Sequence, residues 1–147
     1  MISKTTAIGF YVLLILTFLT GYLIGSLVTQ TRITNIATIK TINVEVYWDV
    51  HRTQPITFID WGSLEPATSK TILIYVYSYS NTPITLTIYT ENWKPTNCTD
   101  YMTLTAEPNN TTLQPSQIAE VNLTLTVAPN IQGITTFAFD IILKGSG

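Results

Sequence analysis

The sequence holds one cysteine, Cys98, and one histidine, His51. A lone cysteine cannot close an intrachain disulfide, so any core must hold by packing alone. Cys98 reads as an isolated thiol in a loop, with pairing to another chain as the alternative. A lone histidine leaves little material for acid–base or metal chemistry. Asp49 and His51 stand two residues apart and share a face if a strand persists there, and Asp60 would lie near them across a hairpin. No second ligand motif accompanies the three, so a solvated strand end is expected rather than a metal site. His51 has no Ser or Cys beside it, no G-x-S-x-G is present, and no Gly-rich loop could cradle a phosphate. Neither an enzyme nor a bound cofactor is expected. Charge is scarce as well: 11% of residues are charged, with 7 Lys and Arg against 9 Asp and Glu. That balance has no basic footprint for nucleic acid. The polar surface must come from Thr, Ser, Asn and Tyr, a pattern common on cell exteriors. No helical period occurs after residue 41.

What is present begins with Ala7 to Val28, AIGFYVLLILTFLTGYLIGSLV, a stretch without charge. As a helix it would rise about 33 Å, enough to cross a hydrocarbon core of about 30 Å. Residues 1–28 are therefore expected to be a single-pass transmembrane anchor. A cleaved secretory signal is the second reading, although the run is longer than the usual 7–15 residues and no convincing small-x-small site follows. A pilin-type leader cut near Lys4-Thr5 is the third. Lys4 and the amino terminus balance Arg32 and Lys40, so charge does not decide the orientation. Gly21 and Gly25 form a GxxxG motif, and Thr17 extends its face by one turn. Small residues four apart let helices approach closely in lipid, which makes these three candidate helix–helix contacts in a homo-oligomer; a monomeric anchor is the alternative.

Residues 29–41 are Thr-rich and β-branched and read as a short stalk running into the first strand. Residues 42–147 then alternate in short apolar runs. Ile42, Val44, Val46 and Trp48 face one way, followed by a strand over Ile56 to Trp61 that Gly62 ends. Lys70 to Tyr79 is a long strand, with Ile72, Ile74 and Val76 on one face and Leu73, Tyr75, Tyr77 and Tyr79 on the other. Ile84 to Thr90 and Tyr101 to Thr105 follow, and Glu91 to Asp100 between them has no strand period. Leu113-Gln114-Pro115-Ser116 repeats Leu64-Glu65-Pro66-Ala67 at an offset of 49 residues, which sets Val121, Leu123 and Leu125 in phase with Ile72, Ile74 and Val76. Those six are expected core. Ile134 to Leu143 closes the domain with Phe137, Phe139, Ile141 and Leu143 inward, and Lys144 to Gly147 reads as a tail. About seven strands at short intervals describe an all-β, antiparallel, seven-stranded Ig-like β-sandwich behind the helix.

Between Asp60 and Pro83 the residues Gly62, Leu64, Pro66, then Ser78, Ser80, Asn81 and Pro83 resemble the G-x-L-x-P-G turn, alternating strand and N-x-G-N-x-P of many extracellular Ig-like domains. Ala67 stands where that pattern has Gly, and Ser78 and Ser80 replace its Asn and Gly. A different turn is expected at Ala67, since Gly there usually marks a positive φ. ITNIATIKTINVEVYWD, IDWGSLEP and GITTFAFDIIL resemble segments of small, uncharacterised membrane-anchored surface proteins of archaea that carry an Ig-like domain. The resemblance spans most of residues 33–143. It implies a fold and a location, and no activity.

Two features point to an exterior role. Sequons begin at Asn97, Asn109, Asn110 and Asn122, the first three in expected loops and the last on the outward face of its strand. All four are candidate glycosylation sites, and they favour a β domain outside the cell membrane. The stripe Leu73, Tyr75, Tyr77, Tyr79 makes both faces of one strand apolar or aromatic. It is a candidate contact for another surface protein or a glycan, because Tyr offers large contact area at low entropy cost. The alternative is cover by a loop, with Glu91 to Asp100 and Trp93 as the nearest candidate. The functional expectation is a membrane-anchored extracellular protein with a structural or adhesive role. The rivals are a pilin-like filament subunit, its hydrophobic helices bundled in the filament core, and an accessory subunit of a membrane complex.

Overall fold

Nine strands and one 3₁₀ turn follow one another in the computed structural model, which describes residues 33–147. The expected anchor, the first part of the stalk and the contacts at Thr17, Gly21 and Gly25 lie outside the described residues. The strands are β1 (Ile33–Ile42), β2 (Val44–Tyr47), β3 (Phe58–Leu64), β4 (Ser69–Ser78), β5 (Ile84–Lys94), β6 (Met102–Glu107), β7 (Thr111–Leu113), β8 (Ile118–Val127) and β9 (Thr136–Ser146), with the 3₁₀ turn at Thr96–Asp100. They form a five-stranded sheet in the order β3-β1-β9-β5-β7 and a four-stranded sheet in the order β2-β4-β8-β6. Buried side chains from both sheets meet in one hydrophobic cluster, consistent with a β-sandwich.

The count is nine strands rather than seven, and one pairing is not antiparallel: β1 runs parallel to β9. The extra strand at the start is the expected stalk. From Ile33 onward it is β1, an interior strand between β3 and β9, with Ile33, Asn35, Ala37 and Ile39 buried. Its Thr and Ile content disfavours helix and suits a pleated surface. The alternation expected from Ile42 to Trp48 is also broken. Asn43 adopts φ +60, a left-handed conformation that Asn tolerates, and its Nδ2 donates to the Gly145 carbonyl at 3.1 Å. There the chain leaves one sheet for the other: Ile42 pairs with Lys144, and Val44 pairs with Ser78. Val44 and Val46 are buried, whereas Ile42 and Trp48 are exposed.

Gly62 does not end β3. It lies inside it at φ +66, in a bulge where Asn35 pairs with Gly62 and Ile36 with Asp60, leaving Trp61 as the extra residue. Trp61 keeps the inward phase of Ile59 and is fully buried, and the bulge shifts the phase after it so that Leu64 is the next buried residue. The last strand extends to Ser146, so Lys144 and Gly145 belong to the sheet and not to a tail. A Cβ at Gly145 would stand 2.5 Å from Ile84 Cδ1 and 3.2 Å from Val44 Cγ1, so a side chain there would have to push the Ile84 methyl aside.

The repeat at 49 residues has a structural counterpart. β4 and β8 are antiparallel neighbours in the middle of the smaller sheet, with Ile72 opposite Leu123 and Ile74 opposite Val121. Leu64 and Leu113 are both buried, and Ala67 and Ser116 both adopt φ +60. The different turn expected at Ala67 is therefore absent: both repeats keep the positive φ without glycine. Each turn then feeds a bond to the far end of the other strand, Val127 N–H to the Thr68 carbonyl (2.9 Å) and Ser78 N–H to the Gln117 carbonyl (3.0 Å). The two repeats are thus related by a local two-fold axis through the β4–β8 ladder. Leu73 and Asn122, equivalent in the repeat, face each other at that axis.

Candidate functional site

The outer face of the four-stranded sheet is where the alternation of β4 delivers its second apolar set. Inward Ile74, Val76 and Ser78 are fully buried, so the period of two forces Leu73, Tyr75 and Tyr77 outward. Leu73 is 39% exposed, Tyr75 and Tyr77 are half-buried, and Tyr79, just past the strand, is 55% exposed. On one side β2 sets Tyr47 opposite Tyr75 and Glu45 opposite Tyr77. On the other, β8 sets Ile118 opposite Tyr77, Glu120 opposite Tyr75 and Asn122 opposite Leu73. These cross-strand pairs bring three tyrosines into one patch, with a carboxylate on either side.

Local contacts hold the patch. The Tyr47 hydroxyl donates to Glu45 Oε2 at 2.7 Å. That bond to a carboxylate, together with desolvation and the charge of Glu45, pushes the Tyr47 phenol above its ordinary range. The Arg52 guanidinium lies 4.2 Å from the centre of the Tyr77 ring. Arg52 reaches it from the loop after β2, and Asp49 organises that loop: its carboxylate accepts from Thr53 N–H (3.0 Å), Thr53 Oγ1 (3.1 Å) and Gln54 N–H (2.8 Å). Desolvation pushes Asp49 upward, but the Gln54 and Thr53 bonds together outweigh it and hold the group below the usual carboxylate range. The rest of the face is a threonine ladder, with Ser69–Thr126 and Thr71–Thr124 hydroxyl pairs at 2.9 Å.

The segment named as the alternative cover for this patch, Glu91 to Asp100 with Trp93, runs elsewhere. Residues 91–94 continue β5 in the other sheet, past a bulge in its pairing with β9. Trp93 is buried there, stacked on Phe139 at 4.0 Å between centroids and 7° between planes, with Phe137 at 6.0 Å. The signal missed in the sequence was Asn92, whose φ of +56 shifts the register and hides the strand period. Cys98 sits on the 3₁₀ turn and is fully buried, not in an open loop, and burial raises its thiol pKa.

Asp49 and Asp60 do not converge on His51. Asp60 Oδ1 accepts from the Gly62 N–H of its own bulge at 2.8 Å. Among the described residues no group of three or more His, Cys, Asp or Glu side chains is placed to hold a metal ion. A cleft of about 430 Å³ opens on the five-stranded sheet between Ile36, Lys94, Phe137 and Asn35; its lining is mainly apolar, and the buried Asn35 Oδ1 has no hydrogen-bond partner among the described residues.

The four sequons differ in setting. Asn97 is exposed on the 3₁₀ turn, and Asn122 is exposed on the tyrosine-bearing face, directly opposite Leu73. Asn110 is exposed at φ +53. Asn109 is exposed as a residue, but both ends of its carboxamide are engaged by the Ile88 backbone. No protein-family model and no curated protein sequence matches this chain.

Proposed function

We propose that the chain is a single-pass surface protein whose β domain, an Ig-like sandwich outside the cell membrane, has a structural or adhesive role through the tyrosine face of β4. The observation that carries this is the outward patch of Leu73, Tyr75 and Tyr77 with Tyr47 beside it, over which no other strand of the described residues lies. An aromatic surface held in place by a strand ladder and by Arg52 contacts a partner with little loss of side-chain entropy. Its flanking carboxylates, Glu45 and Glu120, supply acceptors for the hydroxyls of a glycan or the amides of a protein. The scarcity of charge, the sequons and the hydrophobic segment support the location. Two sheets around one core support the Ig-like reading, with β1 parallel to β9 as its departure from an all-antiparallel plan.

The test uses the full-length protein reconstituted in lipid vesicles. Wild-type protein is expected to cluster vesicles or to capture a surface glycan or protein from its own cells. The Tyr75→Ser and Tyr77→Ser double variant, folded by circular dichroism, is expected to lose at least tenfold in that activity. Equal clustering by both proteins would overturn the role of this face. Resistance of the β domain to protease added outside intact cells would overturn the location.

A further inference from the structure

The segment Asn109-Asn110-Thr111-Thr112 contains two overlapping sequons. We propose that the folded domain selects between them: Asn110 is the glycan acceptor, and Asn109 is withheld because its carboxamide is built into the sheet. The inference rests on the external location proposed above only for its setting in the cell, and on geometry for its chemistry.

β7 pairs with β5 through Leu86 opposite Thr111, so a continued ladder would set residue 109 opposite Ile88. The backbone does not continue it; the Asn109 side chain does. Ile88 N–H donates to Asn109 Oδ1 at 2.8 Å, and Asn109 Nδ2 donates to the Ile88 carbonyl at 2.9 Å. One residue therefore exchanges two bonds with one side chain, as in a hydrogen-bonded strand pair. The same Oδ1 also accepts from the Asn110 N–H at 2.9 Å. To serve both groups of Ile88, the Nδ2 hydrogen used must be the one on the same side as Oδ1.

N-glycosylation forms a bond between Nδ2 and the sugar C1. The bond from C1 to its nucleotide- or lipid-phosphate carrier breaks, the phosphate leaves with the electron pair, and one Nδ2 proton is released. The product is a secondary amide. Such amides place the new carbon trans to Cβ and hence on the side of Oδ1. That is the position of the hydrogen that bonds to Ile88. The cis arrangement, which would spare the bond, is disfavoured roughly 60-fold. A glycan on Asn109 and the pairing with Ile88 exclude each other.

Asn110 has no such obligation. Its side chain is exposed, its Oδ1 accepts from Thr87 Oγ1 at 3.3 Å, and its Nδ2 donates to no other described residue. Glycosylation leaves Oδ1 free to accept, so the contact with Thr87 survives the modification.

The experiment treats the detergent-purified full-length protein with a soluble N-glycosyltransferase and UDP-glucose, once folded and once in urea, and maps the modified peptides. In the folded protein Asn110 is expected to label and Asn109 to label at least 30-fold more slowly; in urea both label. The Asn110→Gln variant, which leaves Asn109 as the remaining acceptor in the segment, is expected to lose labelling there when folded and to regain it in urea. Labelling of Asn109 in the folded protein within a few-fold of Asn110 would overturn the proposal, as would a folded protein in which Asn110 stays unmodified. Absence of glycan on protein taken from native membranes would count against the external location and leave this selection standing on the result in vitro.

Discussion

Replacing Ala67 by glycine should stabilise the protein. Ala67 follows Pro66 in the turn before β4 and sits at φ +60. An L-residue there brings Cβ close to the following carbonyl oxygen, at a cost of about 1–2 kcal/mol. Glycine removes that clash but adds unfolded-state entropy, at about 0.4–1 kcal/mol. The net gain expected for Ala67→Gly is about 0.5–1 kcal/mol, a rise in Tm of roughly 2–6 °C for a domain of this size. Ser116→Gly, in the repeated turn, should behave alike, because Ser116 has the same φ. The two turns lie at opposite ends of the β4–β8 ladder, so the double variant should add to within about 0.5 kcal/mol. Glu65→Gly is the control. Glu65 has no positive φ to relieve, so it should lose roughly 0.5–1 kcal/mol. Thermal unfolding followed by tryptophan fluorescence reads all four, since Trp61 and Trp93 are buried. Destabilisation by Ala67→Gly and Ser116→Gly to the same degree as the control would refute the reasoning.

Trp93→Ala should cost about 3–5 kcal/mol in denaturant unfolding, because it removes the ring stacked on Phe139 and opens a hole beside Phe137. Cys98 should react with a thiol reagent in the folded protein only at the rate of unfolding, and at once in denaturant, because the thiol is buried and its pKa raised. Asp140 is held below the usual carboxylate range by the Lys40 ammonium at 2.6 Å and then by the Asn92 amide. Its folded value lies below its unfolded one, so its contribution is whole above the unfolded value near 3.8 and disappears as pH falls through the lower folded value. Asp140→Asn should flatten that acid limb in pH-dependent unfolding while costing under about 1 kcal/mol at neutral pH, since Lys40 is largely exposed.

Much of the domain was legible because a strand with one buried face writes a period of two. Of the core that this period predicts, Ile74, Val76, Val121, Leu123, Leu125, Phe137, Phe139, Ile141 and Leu143 are buried, whereas Ile72, near the start of β4, is only partly buried against it. The outward direction of Leu73, Tyr75 and Tyr77 followed from the same count. The misreadings cluster where one residue takes a positive φ or a bulge adds a residue. Asn43 broke the run from Ile42 to Trp48, Gly62 sat within a strand and not after it, and Asn92 hid the end of β5. Each shifts the phase by one, and periodicity cannot register such a shift before the partner strand is known.

The sequence by itself determined an all-β domain, which face of each long strand is apolar, the spacing of the repeated turns and the position of every sequon. These depend on local chemistry: β-branching, alternation, and Pro at turns. Only the tertiary structure decided that the two repeats are partners in one ladder, that Trp93 packs against Phe139 and leaves the tyrosine face open, and that Asn109 is bonded to Ile88 while Asn110 is free of it. The reason is that strand pairing joins residues distant in sequence. A side chain's chemistry is written in its own position, but what it touches depends on the register of another segment.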